Sequence, residues 1–524
     1  MKRVAALVLV LFAAPCLATP TATTYGPLEG KLSDDGRVAM WLGIPYAAPP
    51  VGELRWRAPQ PPAPWTEVRS AVHFGDACAQ IGTLYGPPPA GKAWGPTNVE
   101  AFGRPVGSED CLTLNVWRPN TDAQGLPVLV FVHGGGGIAG YSGDPMYESS
   151  RLALATSAVV VTINMRLGVF ASLVHPALQG NDPLSNSGHF GTLDIIQALR
   201  FVHDNGAAFG GDSDNVTLAG ESAGAIAVYM MMASPLAKGL FHKAIVMSGL
   251  FGDLPTKEKS LKFSSDLLSH LLRGDHLSPP PSDIAEYLRS RSTSEILEVV
   301  HEGKLRSPGA PGDGVVLPTD LVAAFEQGNF NRVPTIVGTT RDEAKLLAGV
   351  FKPTDAERFA MMQTPELASA ATPSDLIKPY LLPALGDGLY NAYTRTITWL
   401  LKLGVESSVK KLALHAPKVY RYQFDWDRQP EPWHTVYGAC HAIDLPFLFG
   451  NFSGNLFAPF FTERNRAGYE ALSQAFVRSV DAFLRTADPN TPALTQTWPA
   501  WTEKSPSLLH LDASDQALAV SISH

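Results

Sequence analysis

Ser222 stands in Gly220-Glu221-Ser222-Ala223-Gly224, the pattern of a nucleophile elbow. Such a turn from strand to helix is too tight for bulky side chains on either side of the serine, and it presents the hydroxyl at a helix N-terminus. The dipole there favours developing negative charge. A serine hydroxyl attacks poorly until a base removes its proton, and the tetrahedral oxyanion it creates needs hydrogen-bond donors. His133-Gly134-Gly135-Gly136-Gly137 answers the second need, because residues without side chains let several backbone N–H groups converge on one point. The expected oxyanion hole comprises the N–H groups of Gly135, Gly136 and Ala223, with His133 structural. In elbow hydrolases the acid and the base follow the serine along the chain. Asp342 and Glu343 are the candidate acids; His434 and His441 are the candidate bases. Spacing leaves both pairs open.

These groups require a rigid frame. Val128 to Val132 and Ala158 to Ile163 are β-branched runs, apolar on both faces, as buried parallel strands must be. Leu193, Ile196, Leu199, Phe201 and Val202 place an apolar stripe on a helix over Leu193 to Asn205. Asn215 to Ala219 reads as a strand running into the elbow, with a helix over Ala225 to Ala233 after it. Phe241 to Met247 and Val333 to Val337 are further strands. This alternation predicts an α/β fold, a mostly parallel central sheet flanked by helices. Lys257 to Arg306 has helical periodicity and reads as a helical cap inserted between core strands.

Composition agrees with a globular enzyme. The chain has 524 residues, of which 45% are hydrophobic and 17% charged, and a formal net charge of −8. No basic stripe is present for a nucleic-acid backbone. Lys2-Arg3, the apolar run Val4 to Ala14 and Cys16-Leu17-Ala18-Thr19 form the pattern of a secretory signal peptide cleaved after Ala18. No later run is long enough for a membrane span. The expected location is therefore periplasmic or extracellular. Removing the leader leaves Cys78, Cys111 and Cys440; export favours one pair and one free thiol. Asn215-Val216-Thr217 and Asn451-Phe452-Ser453 match the glycosylation acceptor pattern.

Several ordered motifs carry a family resemblance. Trp41 to Pro50 with Leu54-Arg55-Trp56, Glu109 to Val116, Asn164-Met165-Arg166, Phe209 to Asp212, the elbow, and Arg485 to Asn490 together resemble the type-B carboxylesterases, a group that includes cholinesterases. The resemblance spans nearly the whole mature chain and implies one α/β-hydrolase domain over residues 19–524. It implies Glu343 as the acid and His441 as the base, with His434 at the surface. It also implies a Cys78–Cys111 disulfide, a free Cys440, supporting roles for Glu221 and Ser248, and the ion pairs Arg166–Asp194 and Arg55–Glu109. The substrate class implied is a small-molecule carboxylic ester, with no metal or cofactor. Gly137 stands where an aromatic is common, Thr113 likewise, Ala344 where glycine is usual, and His189 and Ile195 where Asn and Gln are usual. Trp94, between the paired cysteines, raises a cholinesterase-like alternative through cation–π binding. A non-catalytic adhesion or scaffold role is opposed by the presence of every catalytic group.

Overall fold

The two valine-rich runs become adjacent parallel strands near the middle of an eleven-stranded sheet. This computed structural model describes residues 19–277, 280, 282–347, 359–360, 362–363 and 387–524; the leader expected at residues 1–18 lies outside them. In chain order the sheet contains β1 (Lys31–Leu32), β2 (Val38–Pro45), β3 (Thr113–Pro119), β4 (Leu126–Val132), β5 (Val159–Ile163) and β6 (Gly211–Glu221). It continues with β7 (Lys243–Met247), β8 (Thr335–Thr340), β9 (Val419–Phe424), β10 (Leu508–Leu511) and β11 (Ser521–Ser523). Across the sheet the order is β11-β10-β9-β8-β7-β6-β4-β5-β3-β2-β1. Pairings from β5 through β10 are parallel. Both margins are antiparallel.

Every residue of β4, β5 and β7 is buried, which explains their near-continuous apolar sequences. The chain steps outward from β4 to β5 and returns on the other side of β4 as β6. Open α/β sheets bind ligands beyond the carboxyl ends of strands at such a reversal. Here those ends carry His133 after β4 and Ser222 after β6, with Gly220 opposite Val132 in register.

Element bounds differ from the sequence reading in physically sensible ways. β8 runs past Val337 through Thr339 and Thr340, which are β-branched and fully buried despite their hydroxyls. β6 begins at Gly211 and includes a register shift before Val216, a bulge that apolar patterning does not reveal. β7 starts at Lys243, after Phe241 and His242. Helix α1 (Phe190–Asn205) begins three residues before the first stripe leucine, and α2 (Ala223–Ala233) starts directly after Ser222.

The predicted insertion forms α3 (Lys257–Gly274), α4 (Ile284–Ser290) and α5 (Thr293–Glu302). Thr256 caps the first, and Ser292 with Glu295 forms a capping box on the last. Phe263, Leu267, Leu288 and Ile296 pack on Trp56, Phe170 and Phe190. Arg55 secures this block: it makes a bidentate pair with Glu109 (2.8 and 2.5 Å), and donates to the carbonyls of Arg289 and Arg291. Arg166 pairs with Asp194 on α1 at 2.8 and 2.7 Å, fully inside the protein. No described residue of the insertion lines the cavity at Ser222. The helical cap is inserted between β7 and β8, as expected, and packs on the flank formed by Trp56, Phe170 and Phe190.

Cys78 and Cys111 are joined by a disulfide across a sequence separation of 33. Cys440 is free and buried. Among the described residues no helix is long and apolar enough to cross a membrane.

Candidate active site

Ser222 links β6 to α2 with φ 57° and ψ −121°. A side chain rarely tolerates this conformation without cost. Two features enforce it here. The Ser222 N–H donates to Met247 O on β7 at 2.9 Å, and any methyl group on Gly224 would overlap the carbonyl of Val132. The elbow is thus pressed against the strand that leads into the glycine loop.

That loop turns sharply. Gly135, Gly136 and Gly137 take φ of 99°, 66° and 70°, and the N–H groups of Ile138 and Ala139 fold back onto Gly135 O. The N–H groups of Gly135 and Gly136 find no acceptor among the described residues. The N–H of Ala223, at the first position of α2, belongs to the set that a helix leaves unpaired. Gly135, Gly136 and Ser222 line one cavity together with Glu221, His441, Tyr85, Tyr141, Asp144 and Tyr147. His133 is not among its lining residues; it is buried, with Nδ1 2.8 Å from Gly134 O. Burial lowers its pKa to about 4, so it stays neutral near pH 7.

The loop after β8 and the turn before α6 (Asp444–Phe449) bring Glu343 and His441 together. His441 Nδ1 lies 2.5 Å from Glu343 Oε2. Glu343 Oε1 accepts from Ser248 Oγ and from Thr340 N, both at 2.7 Å. Both members are buried. The other candidates lie elsewhere. Asp342 pairs with Arg341 and accepts from Ala439 N. His434 is half-exposed, with Nδ1 2.6 Å from Asp427 O.

His441 Nε2 lies 3.0 Å from Glu221 Oε1, within ion-pair range though not aligned as a hydrogen bond. Burial pushes the imidazole pKa down, but the Glu221 and Glu343 carboxylates outweigh it and hold it well above its usual value. Burial raises Glu343, and the charge and hydrogen bond of His441, with Ser248 and Thr340, reverse that to a lowered pKa. Ser222 Oγ makes no hydrogen bond to the imidazole among the described residues; contacts of this kind often tighten only with substrate bound.

The remaining sequence candidates sort clearly. Trp94 is absent from the cavity wall and packs edge-on against Phe359, centroids 5.6 Å apart. His189 Nε2 is 2.8 Å from Pro311 O, and Ile195 is core. The Asn215 amide oxygen accepts from Lys243 Nζ. Asn451 is buried and donates three hydrogen bonds, to the carbonyls of Pro145, Met146 and Glu148. Sequence reasoning missed Tyr85, Tyr141, Asp144 and Tyr147; the one available signal was the polar turn Tyr141-Ser142-Gly143-Asp144-Pro145 directly after the glycine run.

Residues 18–522 match the model of the Carboxylesterase family. This chain belongs to that family. Membership makes it a carboxylic ester hydrolase. It is 32% identical to the para-nitrobenzyl esterase of Bacillus subtilis (strain 168) over 511 residues, 94% of each chain. It is also 32% identical to the phenmedipham hydrolase of Pseudarthrobacter oxydans over 505 residues, 93% of this chain and 94% of that one. Among solved structures, the carboxylesterase of Geobacillus stearothermophilus superposes with a TM-score of 0.75 at 30% identity, covering 96% of this chain and 98% of that one. A para-nitrobenzyl esterase structure gives 0.73 at 30% identity, covering 96% and 97%.

Proposed function

We propose that the carboxylesterase hydrolyses small-molecule carboxylic esters through an acyl-enzyme on Ser222, with His441 as base and Glu343 as acid. The supporting observation is the 2.5 Å contact between His441 and Glu343 at the wall of the cavity that also holds Ser222 and the glycine loop. In the neutral form His441 Nε2 exchanges its Glu221 contact for Ser222 Oγ and takes the hydroxyl proton as the oxygen attacks the ester carbonyl. Glu343 fixes the imidazole tautomer and stabilises the imidazolium. Gly135, Gly136 and Ala223 donate to the oxyanion. The alcohol leaves with the proton from His441, and water then cleaves the acyl-enzyme by the same route. Glu221 and Ser248 support the imidazole and the acid respectively.

A fluorophosphonate probe tests this reading. Wild-type protein is expected to label stoichiometrically and Ser222→Ala not at all; an unlabelled wild type refutes it. We also infer export. The disulfide, a bond that persists in oxidising compartments, supports it. N-terminal sequencing of the mature protein checks it, with Thr19 as the expected first residue.

A further inference from the structure

The cavity beside Ser222 has a chemistry that ester cleavage alone does not require. Besides His441, its ionisable wall consists of two carboxylates, Glu221 and Asp144, and three tyrosines, with no lysine or arginine among the described lining residues. Glu221 faces His441. Asp144 is differently placed. It is only 6% exposed. Its Oδ1 accepts the Met146 N–H at 2.8 Å, capping the single turn Pro145–Tyr147, and Oδ2 accepts no hydrogen bond among the described residues.

The capping role does not explain the charge, since asparagine or serine caps equally well. A buried carboxylate without a cationic partner is costly. Burial accordingly pushes Asp144 up to about 7. The adjoining phenols do not relieve it: Tyr141 and Tyr147 are raised by their own burial, with the Asp144 charge adding to the effect. Nor can the turn readily swing the acid into water. Asn451 Nδ2 holds its backbone at Pro145 O (3.2 Å), Met146 O (3.0 Å) and Glu148 O (2.7 Å). The result is a preorganised acid, unpaired within the protein, in the wall of the substrate cavity. A cation arriving with the substrate would complete it.

We propose that Asp144 is a specificity determinant whose free carboxylate oxygen accepts an N–H of a protonated amine on the ester, so that ammonium-bearing esters are selected over neutral and anionic ones. This rests on the esterase reading of the same cavity. The ammonium keeps Asp144 ionised and satisfies Oδ2 with a charge-assisted hydrogen bond, the stronger kind.

Matched substrates test it on the full chain. One arm places the amine on the acyl side, methyl ω-aminohexanoate against methyl heptanoate. The other places it on the alcohol side, para-(aminomethyl)benzyl acetate against para-ethylbenzyl acetate. In one arm at least, wild type is expected to favour the amine by kcat/KM, and Asp144→Asn, which preserves the capping oxygen, to lower the amine-to-neutral ratio about tenfold or more. Because the ratio is taken within each variant, the fraction of folded protein cancels. Wild type that prefers the neutral member in both arms, or a ratio that Asp144→Asn leaves unchanged, overturns the inference while the esterase reading stands. No turnover of any of the four esters removes both.

Discussion

Glu221 Oε1 lies 3.0 Å from His441 Nε2, on the side of the ring opposite the Glu343 contact. The imidazole therefore sits between two carboxylates, and both favour its cation. A base must be neutral to accept the serine proton, so the acid limb of kcat/KM reports this pKa in the free enzyme. Removing the Glu221 charge lowers the pKa and exposes the neutral form at lower pH. Glu221→Gln is expected to move the acid limb to lower pH in a pH–rate profile. An unmoved or higher limb contradicts the electrostatic role assigned to Glu221.

The opposite nitrogen gives a larger effect. Glu343 accepts from His441, Ser248 and Thr340 in one buried cluster. Glu343→Gln keeps the shape and removes the charge that stabilises the imidazolium, with an expected loss in kcat of about 10³–10⁴. Ser248→Ala removes one neutral donor from the carboxylate and should cost roughly tenfold. Steady-state rates on a single ester check both, and equal losses in the two variants would contradict the assignment of Glu343 as the acid.

The disulfide is a matter of stability. Closing a loop with a sequence separation of 33 removes unfolded-state entropy worth about 3–4 kcal/mol. The double variant Cys78→Ser/Cys111→Ser is expected to lose that much in urea unfolding. Reductant should then leave its midpoint unchanged while lowering that of the wild type. Cys440, buried and with its thiol pushed upward in pKa by burial, does not substitute for either partner.

Much of the frame was legible because its residues answer to one constraint. β4, β5 and β7 are buried on both faces, and only unbroken apolar, β-branched runs satisfy that. The elbow and glycine loop were legible for a related reason: backbone geometry there restricts residue type locally. Choosing Glu343 over Asp342 was different. The two are adjacent on one turn, and only the direction of each side chain separates them, toward His441 in one case and Arg341 in the other. Cavity walls were harder still. Tyr85 comes from the disulfide loop, Asp144 from the turn after the glycines, and Leu347 and Leu445 from beyond β8 and from α6. Nothing in a linear pattern joins such distant segments. The flanking position of α3 to α5 was hidden similarly, because their amphipathic stripes declare a buried face without naming Trp56, Phe170 and Phe190 as what buries it.

The glycine loop offers a contrast within one turn. Gly135 and Gly137 both have positive φ, 99° and 70°, so alanine at either position costs about 1–2 kcal/mol in backbone strain. Their surroundings differ. A methyl group at 135 would overlap Ala139 O, the next strand of the loop, whereas one at 137 meets nothing within 4 Å. Gly135→Ala must therefore displace backbone and misalign the donors aimed at the oxyanion, and a lost donor of this kind is worth about 10²–10³ in kcat. Gly137→Ala should lower thermal stability by the strain alone and keep kcat within a few-fold of wild type. Measuring kcat and unfolding midpoint for both variants separates the two costs. If both variants lose activity alike, strain in the loop and not placement of the Gly135 donor governs the rate.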